Sequence, residues 1–318
     1  MSAVQHPLKR GDSGNSPFQK LNVIGRSARS SFRQIVQFGL SLLPMSWSSF
    51  TYRQIKGMCR DLGGTTDVQQ QVTLRNGGQM LLDIRDSQQR HIFYSRLYEY
   101  PYVSCVLRDF VERGDFVVDV GANVGSYTIA LAIRVGSNGR VFSFEPNPRS
   151  YAFLERNVKL NGFDNVSFYE TALAESNGAV LLETRYDDLA LSRIVKAGAD
   201  GEVLRVSSRT MDSLFSDADR ARIRFIKIDA EGAEPAILRG ATAILEARPN
   251  FLLEVDDRRL GAAETSEDEL LSFMTTRGYV PFCLSLRGTL VRFDSKSRPI
   301  RDNLFFVPRE KAFPLRPR

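Results

Sequence analysis

The sequence predicts an α/β fold. It reads as a doubly wound, mostly parallel seven-stranded sheet with an antiparallel terminal strand and an N-terminal helical and hairpin extension. Three observations carry this prediction. Residues 116–120, FVVDV, form an almost unbroken apolar run, the pattern of a strand buried on both faces of a parallel sheet. From there onward strand-like and helix-like segments alternate, the rhythm of βαβ units. The last two apolar runs, YVPFCLS (279–285) and NLFFVP (303–308), are joined by a Gly-, Arg- and Ser-rich loop and read as an antiparallel pair.

In chain order, residues 1–30 are rich in Gly, Ser, Pro and Arg and read as a flexible basic arm. A helical extension is expected over 31–68. Within it Phe32, Ile35, Val36, Leu40 and Leu43 recur at amphipathic spacing before Pro44 stops them. Such a stripe either packs on the protein's own body or a second subunit, which is the favoured reading, or lies on a membrane surface. Residues 69–113 hold a hairpin around Asn76-Gly77 and a pre-core helix from His91 to Arg113. The core domain spans 114–310, followed by a tail at 311–318. After FVVDV come a helix through Arg134, the strand VFSFE (141–145), a helix from Ser150 to Leu160 stopped at Asn161-Gly162, and NVSFYE (165–170). An insertion at 176–210 carries short strands near 179–183 and 203–207. The pattern resumes with RFIKID (224–229), a helix over 233–247, NFLLEV (250–255) and a helix over 267–277.

Composition excludes several function classes. The 318 residues are 42% apolar and include 21 Phe and 10 Tyr, enough for a packed core. Cys59, Cys105 and Cys283 form no C-x-x-C pair, which excludes a disulfide framework and favours a reducing compartment. His6 and His91 are the only histidines, so a multi-histidine metal site is excluded. Residues 1–60 hold nine Lys/Arg and one acid, leaving 34 basic against 36 acidic residues elsewhere. The body is therefore nearly neutral, which speaks against nucleic-acid binding. No apolar run reaches the length of a transmembrane helix, and the first 20 residues lack the apolar segment of a signal peptide. The expected location is cytoplasmic, with peripheral membrane contact through residues 1–60 as the alternative; nothing addresses the oligomeric state.

The strongest local signal is Asp119-Val120-Gly121-Ala122-Asn123-Val124-Gly125, where the first core strand passes into its helix. Ligands of open α/β sheets bind beyond the carboxyl ends of the strands, where this loop sits. A dinucleotide fingerprint needs glycine at its second position for close approach to a pyrophosphate, and Asn123 stands there instead. No phosphate-cradling G-x-x-x-x-G-K-[ST] motif exists. Glu145 ends the second strand, 20 residues after Gly125, where a carboxylate can accept both hydroxyls of an unphosphorylated ribose; Pro146 fixes the chain as it leaves the sheet. A loop not shaped for phosphate, with a ribose-binding acid, suits S-adenosylmethionine.

DVGANVG (119–125), FEPNP (144–148), IKIDAEGAE (226–234) and RPNFLLEV (248–255), in this order and spacing, resemble the FkbM family of S-adenosylmethionine-dependent methyltransferases. LYEYP (97–101) and VSSRTMDSL (206–214) fit the same pattern, and the resemblance covers roughly residues 80–310. It implies a class I methyltransferase fold and O-methylation of a hydroxyl on a sugar, glycan or polyketide-type metabolite. The cofactor would be held by Asp119 at its ammonium, by Gly121, Ala122, Asn123 and Gly125 along methionine and ribose, by Glu145 at the ribose and by Thr171 and Ala172 beside the adenine. Asp229 would serve the cofactor's charged end or the chemistry. The clustered acids Asp229, Glu231 and Glu234 would be balanced by the cofactor's positive charges. Candidates for the base that takes the acceptor's proton are Asp229, Glu231, Glu254 and His91. Tyr98 and Glu99 match the pre-core motif and are expected to close over the cofactor. The favoured reading has no metal. The alternative is a Mg²⁺ between Asp229 and Glu254, with Asp256 and Asp257 as further oxygen ligands. Two other classes stay open: a noncatalytic binding protein on a methyltransferase-like core, and an NAD-dependent oxidoreductase.

Overall fold

The computed structural model describes residues 35–37, 39–40, 68–96, 102–184, 189–195, 202–285, 288–294 and 303–312. Strands β1 (Gln69–Thr73) and β2 (Gln79–Asp83) form the expected antiparallel hairpin. Its turn closes where the Asn76 side chain accepts the Gly78 amide at 3.1 Å. The single pre-core helix is replaced by two, α1 (Ser87–Ser95) and α2 (Tyr102–Asp109). Helix α1 starts before His91 because Asp86 caps it, accepting the Gln89 amide. It ends because Arg96 turns left-handed at φ 55°.

The core follows as β3 (Phe116–Val120), α3 (Ser126–Val135), β4 (Arg140–Phe144), α4 (Pro148–Leu160) and β5 (Val166–Tyr169). The insertion is a small sheet of its own: β6 (Ala172–Leu173), β7 (Gly178–Thr184), β8 (Arg193–Val195) and β9 (Glu202–Arg209), in the order β6-β9-β7-β8. Then come the one-turn α5 (Asp217–Arg220), β10 (Ile223–Ile228), α6 (Glu234–Arg239), α7 (Thr242–Glu246), β11 (Asn250–Glu254), α8 (Asp257–Ala262), α9 (Glu267–Thr276), β12 (Tyr279–Leu284), β13 (Leu290–Arg292) and β14 (Asn303–Pro308). The main sheet runs β13-β12-β14-β11-β10-β3-β4-β5. Five strands, β11, β10, β3, β4 and β5, are mutually parallel, and β14 lies antiparallel between β11 and β12. The doubly wound reading therefore holds, with β13 as an eighth, edge strand.

Two further differences have local causes. The helix expected over 233–247 is split into α6 and α7. The Asp212 carboxylate accepts the Ala243 and Ile244 amides at 2.9 and 3.1 Å and so starts a new helix there. Helix α8 was not anticipated: Asp256 caps it by accepting the Arg258 amide at 2.8 Å.

Phe225, Leu252 and Phe305 bury one face of the sheet against α2 and α3, while Val118, Ile226, Ile228 and Phe251 bury the other. The hairpin and α1 share a third cluster with Val124 and Ile129. The described part of the Phe32–Leu43 stripe joins this cluster. Leu40 is buried in it, Val36 packs on it, and Gln37 donates to the Phe93 carbonyl at 2.9 Å. Ile35, on the same stretch, is exposed instead, and Phe32 and Leu43 lie outside the described residues. Among the described residues no helix is long and apolar enough to cross a membrane.

Candidate active site

The chain leaves β5 to return on the other side of β3, so strand order reverses between β3 and β10. A cleft opens there, at the carboxyl ends of β3, β4 and β10. That is the place expected of a small-molecule site in such a sheet. Gly121, at φ 70°, lies so close to the loop after β10 that a Cβ would stand 1.9 Å from the Asp229 carbonyl oxygen. Only glycine permits this contact. The Asp229 amide in turn donates to the Val120 carbonyl at 3.2 Å, which joins the two loops backbone to backbone.

The amides of the β3 loop are largely consumed internally. Those of Gly121 and Ala122 both donate to the Phe144 carbonyl at 3.0 Å, and the Asn123 amide donates to Glu145 Oε2 at 2.8 Å. Asn123 stands at φ 49°, with its Nδ2 donating to Gln88 Oε1. Its Oδ1 is buried and has no hydrogen-bond partner among the described residues. A buried acceptor left open in this way is ready for a ligand's donor.

Glu145, at the end of β4, is 5% exposed and lines the cleft. Its other oxygen accepts the Asn147 amide at 2.8 Å. Burial pushes its carboxyl up to about 7, against the pull of these two amide donors. Asn147 caps α4 and donates through Nδ2 to Ser192 Oγ at 2.8 Å, which ties the insertion to the cleft wall. Thr171 and Ala172 line the same wall, and the Thr171 hydroxyl donates to the Ser207 carbonyl at 3.1 Å.

Lys227 organises the floor. It is 2% exposed on β10, opposite Asp119 of β3 in the parallel register. Its ammonium donates to the Gly121 carbonyl at 3.1 Å and faces Asp229 Oδ2 at 3.3 Å and Asp119 Oδ1 at 3.6 Å. Asp119 is fully buried, and its second oxygen accepts the Thr128 hydroxyl at 2.7 Å. One cation thus bridges both loops.

The acids of the other wall have their own counter-charge. Oxygens of Asp229, Glu231 and Glu254 lie within 4.8 Å of one another. Arg259 of α8 reaches between them: its Nε stands 2.7 Å from Glu231 Oε2, and its Nη1 pairs with Glu254 Oε1. Burial, reinforced by Asp229 and Glu231, drives the Glu254 carboxyl well above its ordinary value. Burial alone would lower Arg259, but the charges of Glu254 and Glu231 outweigh it and raise the guanidinium. Glu234 is buried and caps the turn by accepting the Ala230 amide at 2.8 Å; burial pushes its carboxyl up to about 7.

The Methyltransferase FkbM domain family matches residues 119–281, just over half of the chain and the whole of this cleft's floor. The chain belongs to the FkbM methyltransferase family. Among its relatives are the hexuronic acid methyltransferase AglP of Haloferax volcanii, 25% identical over 150 residues, and the 2-O-methyltransferase NoeI of Sinorhizobium fredii, 26% identical over 167 residues. Each match covers 47% of this chain, and 59% and 67% of the respective relatives. A solved FkbM methyltransferase from Methylobacillus flagellatus KT is similar at 20% identity and a TM-score of 0.42, covering 70% of this chain and 55% of that one.

Of the residues that the FkbM resemblance singles out, Gly121, Asn123, Glu145, Pro146, Thr171, Ala172, Asp229 and Glu231 line the cleft. Ala122 and Gly125 stand one layer behind it, Gly125 against Leu154 at the start of α3. Asp119 lies beneath the loop, fully buried, where Lys227 and the Thr128 hydroxyl engage it. Glu254 stands behind Glu231, and His91 is on α1 one turn beyond the cleft-lining Gln88. Tyr98 and Glu99 lie outside the described residues. The expected counter-charge for the acids is corrected, since Lys227 and Arg259 supply it from within the chain. Asp256, expected as an oxygen ligand, instead caps α8 and pairs with Arg258 at 3.0 Å, and Asp257 lies in that helix's first turn. Lys227, Arg259, Gln88 and Ser192 were missed. Of these only Lys227 carried a signal, as a lone charge inside the apolar run RFIKID.

Proposed function

We propose that this methyltransferase uses S-adenosylmethionine and transfers a methyl group to a hydroxyl of a sugar or polyketide-type acceptor. The observation that carries the cofactor reading is Glu145, buried at the end of β4 with both oxygens held by amides and facing the cleft. The residues fit the cofactor. Glu145 would take the ribose hydroxyls, Thr171 and Ala172 would flank the adenine, and the open Asn123 Oδ1 with Asp229 would face the charged methionine end. Bound there, the cofactor supplies an electrophilic methyl carbon. The chain's contribution is to orient the acceptor and take its proton. Among the acids, Asp229 suits that task best: Asp229 and Glu231 both line the cleft, but Arg259 ties Glu231 to Glu254, whereas Asp229 faces Lys227 at 3.3 Å.

The names of AglP and NoeI, a hexuronic acid methyltransferase and a 2-O-methyltransferase, favour a hydroxyl on a sugar within that class. A dinucleotide reading is disfavoured because the amides of Gly121, Ala122 and Asn123 already have acceptors and cannot cradle a diphosphate. The test is transfer of an isotopically labelled methyl from S-adenosylmethionine to a panel of sugars and polyketides, with products identified by mass. An O-methylated sugar is the expected outcome; labelled product on nitrogen acceptors alone would overturn the reading.

Glu145 also makes the cofactor reading pH-dependent. Its folded value of about 7 lies above its ordinary 4.5, so the folded state retains a proton that the unfolded chain has released. Its contribution to stability is therefore greatest in acid and is lost as pH rises from about 4.5 through about 7. Ligand binding runs the other way, because ribose hydroxyls donate best to the ionised carboxylate. Affinity for S-adenosylhomocysteine, measured by calorimetry, is expected to rise through about pH 7 in the wild type and to stay flat in Glu145→Gln. An equal slope in both proteins would detach the titration from Glu145.

A further inference from the structure

We infer that Arg259 occupies, as a fixed side-chain cation, the place a divalent metal would take among Asp229, Glu231 and Glu254, so that the acceptor side of this site works without a metal. The inference rests on the reading of that wall as the acceptor side. Carboxylate oxygens from two strand ends converge within 4.8 Å, the arrangement from which oxygen-ligand cation sites are made. Here the guanidinium fork already spans them, with Nε on Glu231 and Nη1 on Glu254. A fork of this kind satisfies two carboxylates at once and stays charged at any working pH. A second cation in the same space would meet it at like-charge distance.

The position of Arg259 is built in. It is the third residue of α8, whose cap Asp256 accepts both the Arg258 and Arg259 amides. Across the contact, Gly232 stands at φ 101°, and a Cβ there would lie 2.6 Å from the Arg259 carbonyl oxygen. The turn after β10 and helix α8 are therefore packed backbone to backbone, so the guanidinium starts from a set base. Charge supports the same assignment. Lys227 and Arg259 together face four acids, Asp119 and Asp229 at the first and Glu231 and Glu254 at the second. Without Arg259 a single cation is left among them, and Glu254 Oε2, already without a hydrogen-bond partner among the described residues, is joined by two freed oxygens. Arg259 is thus a positioning residue: it holds Glu231 and Glu254 together and leaves Asp229, which faces Lys227, as the carboxylate for the acceptor.

The test titrates Mn²⁺ into the full chain, followed by calorimetry and by the paramagnetic signal of free Mn²⁺. Wild type and Arg259→Lys are expected to show no saturable binding. Arg259→Ala is expected to acquire one site with Kd on the order of 10⁻⁴–10⁻³ M, the range of weak oxygen-ligand sites. Asp229→Asn added to Arg259→Ala should remove it. Thermal unfolding checks that each variant is folded; Arg259→Gln, which keeps much of the stem, carries the same expectation if the alanine variant is not. Saturable Mn²⁺ binding by the wild type that Asp229→Asn abolishes would overturn the inference. So would a folded Arg259→Ala or Arg259→Gln that gains no site. Binding of S-adenosylhomocysteine by the same samples reports separately on the cofactor reading, so the two can fail independently.

Discussion

Replacing Lys227 with Met is expected to destabilise the fold by about 3–5 kcal/mol, the usual cost of breaking a buried ion pair from one side. The side chain is 2% exposed, and its loss strands Asp119, which is fully buried. The Gly121 carbonyl loses its donor, and Asp119 and Asp229 are left facing each other with no cation between them. Methionine fills much of the same volume, so the effect reports charge more than packing. Adding Asp119→Asn removes one of the two stranded acids and should recover part of the loss. The double-mutant cycle, read from denaturant midpoints, isolates that coupling. A Lys227→Met midpoint equal to that of the wild type would show that the two acids do not depend on this cation.

Gly121→Ala is the second large expected effect. The residue adopts φ 70°, which costs any other residue on the order of 1–3 kcal/mol, and the added Cβ would stand 1.9 Å from the Asp229 carbonyl oxygen. Relieving that overlap means separating the loops after β3 and β10, with a further cost of about 1–3 kcal/mol if overpacking is the guide. Because these loops form the cleft floor, ligand binding should fall further than the melting temperature indicates. Retained affinity for S-adenosylhomocysteine in a folded Gly121→Ala protein would mean that the contact between the loops does not shape the site.

The parallel strands were legible because burial on both faces writes itself as an apolar run, as in FVVDV and NFLLEV. The cleft floor was legible for a similar local reason: Gly121, Asn123, Glu145 and Asp229 sit at strand ends that the alternating pattern locates. What stayed hidden depends on partners far apart in sequence. Lys227 is visible as an odd charge, but its meaning comes from the register that sets β10 beside β3 and so brings Asp119 opposite it. Arg259 lies in DDRRLGAAET, a stretch with the composition of a loop, and only the Asp256 cap makes it helical and aims it at Glu231 and Glu254. The break between α6 and α7 is equally non-local, since the capping Asp212 comes 31 residues earlier.

Calorimetric titration of the full chain with S-adenosylhomocysteine tests the central claim most directly. The account predicts saturable binding at one site, weakened by about 2 kcal/mol, or roughly thirtyfold, in Glu145→Ala through loss of charge-assisted hydrogen bonds. NAD⁺ should give no heat of binding under the same conditions. Saturable binding of NAD⁺ with none of S-adenosylhomocysteine, or an affinity that Glu145→Ala leaves unchanged, would contradict it.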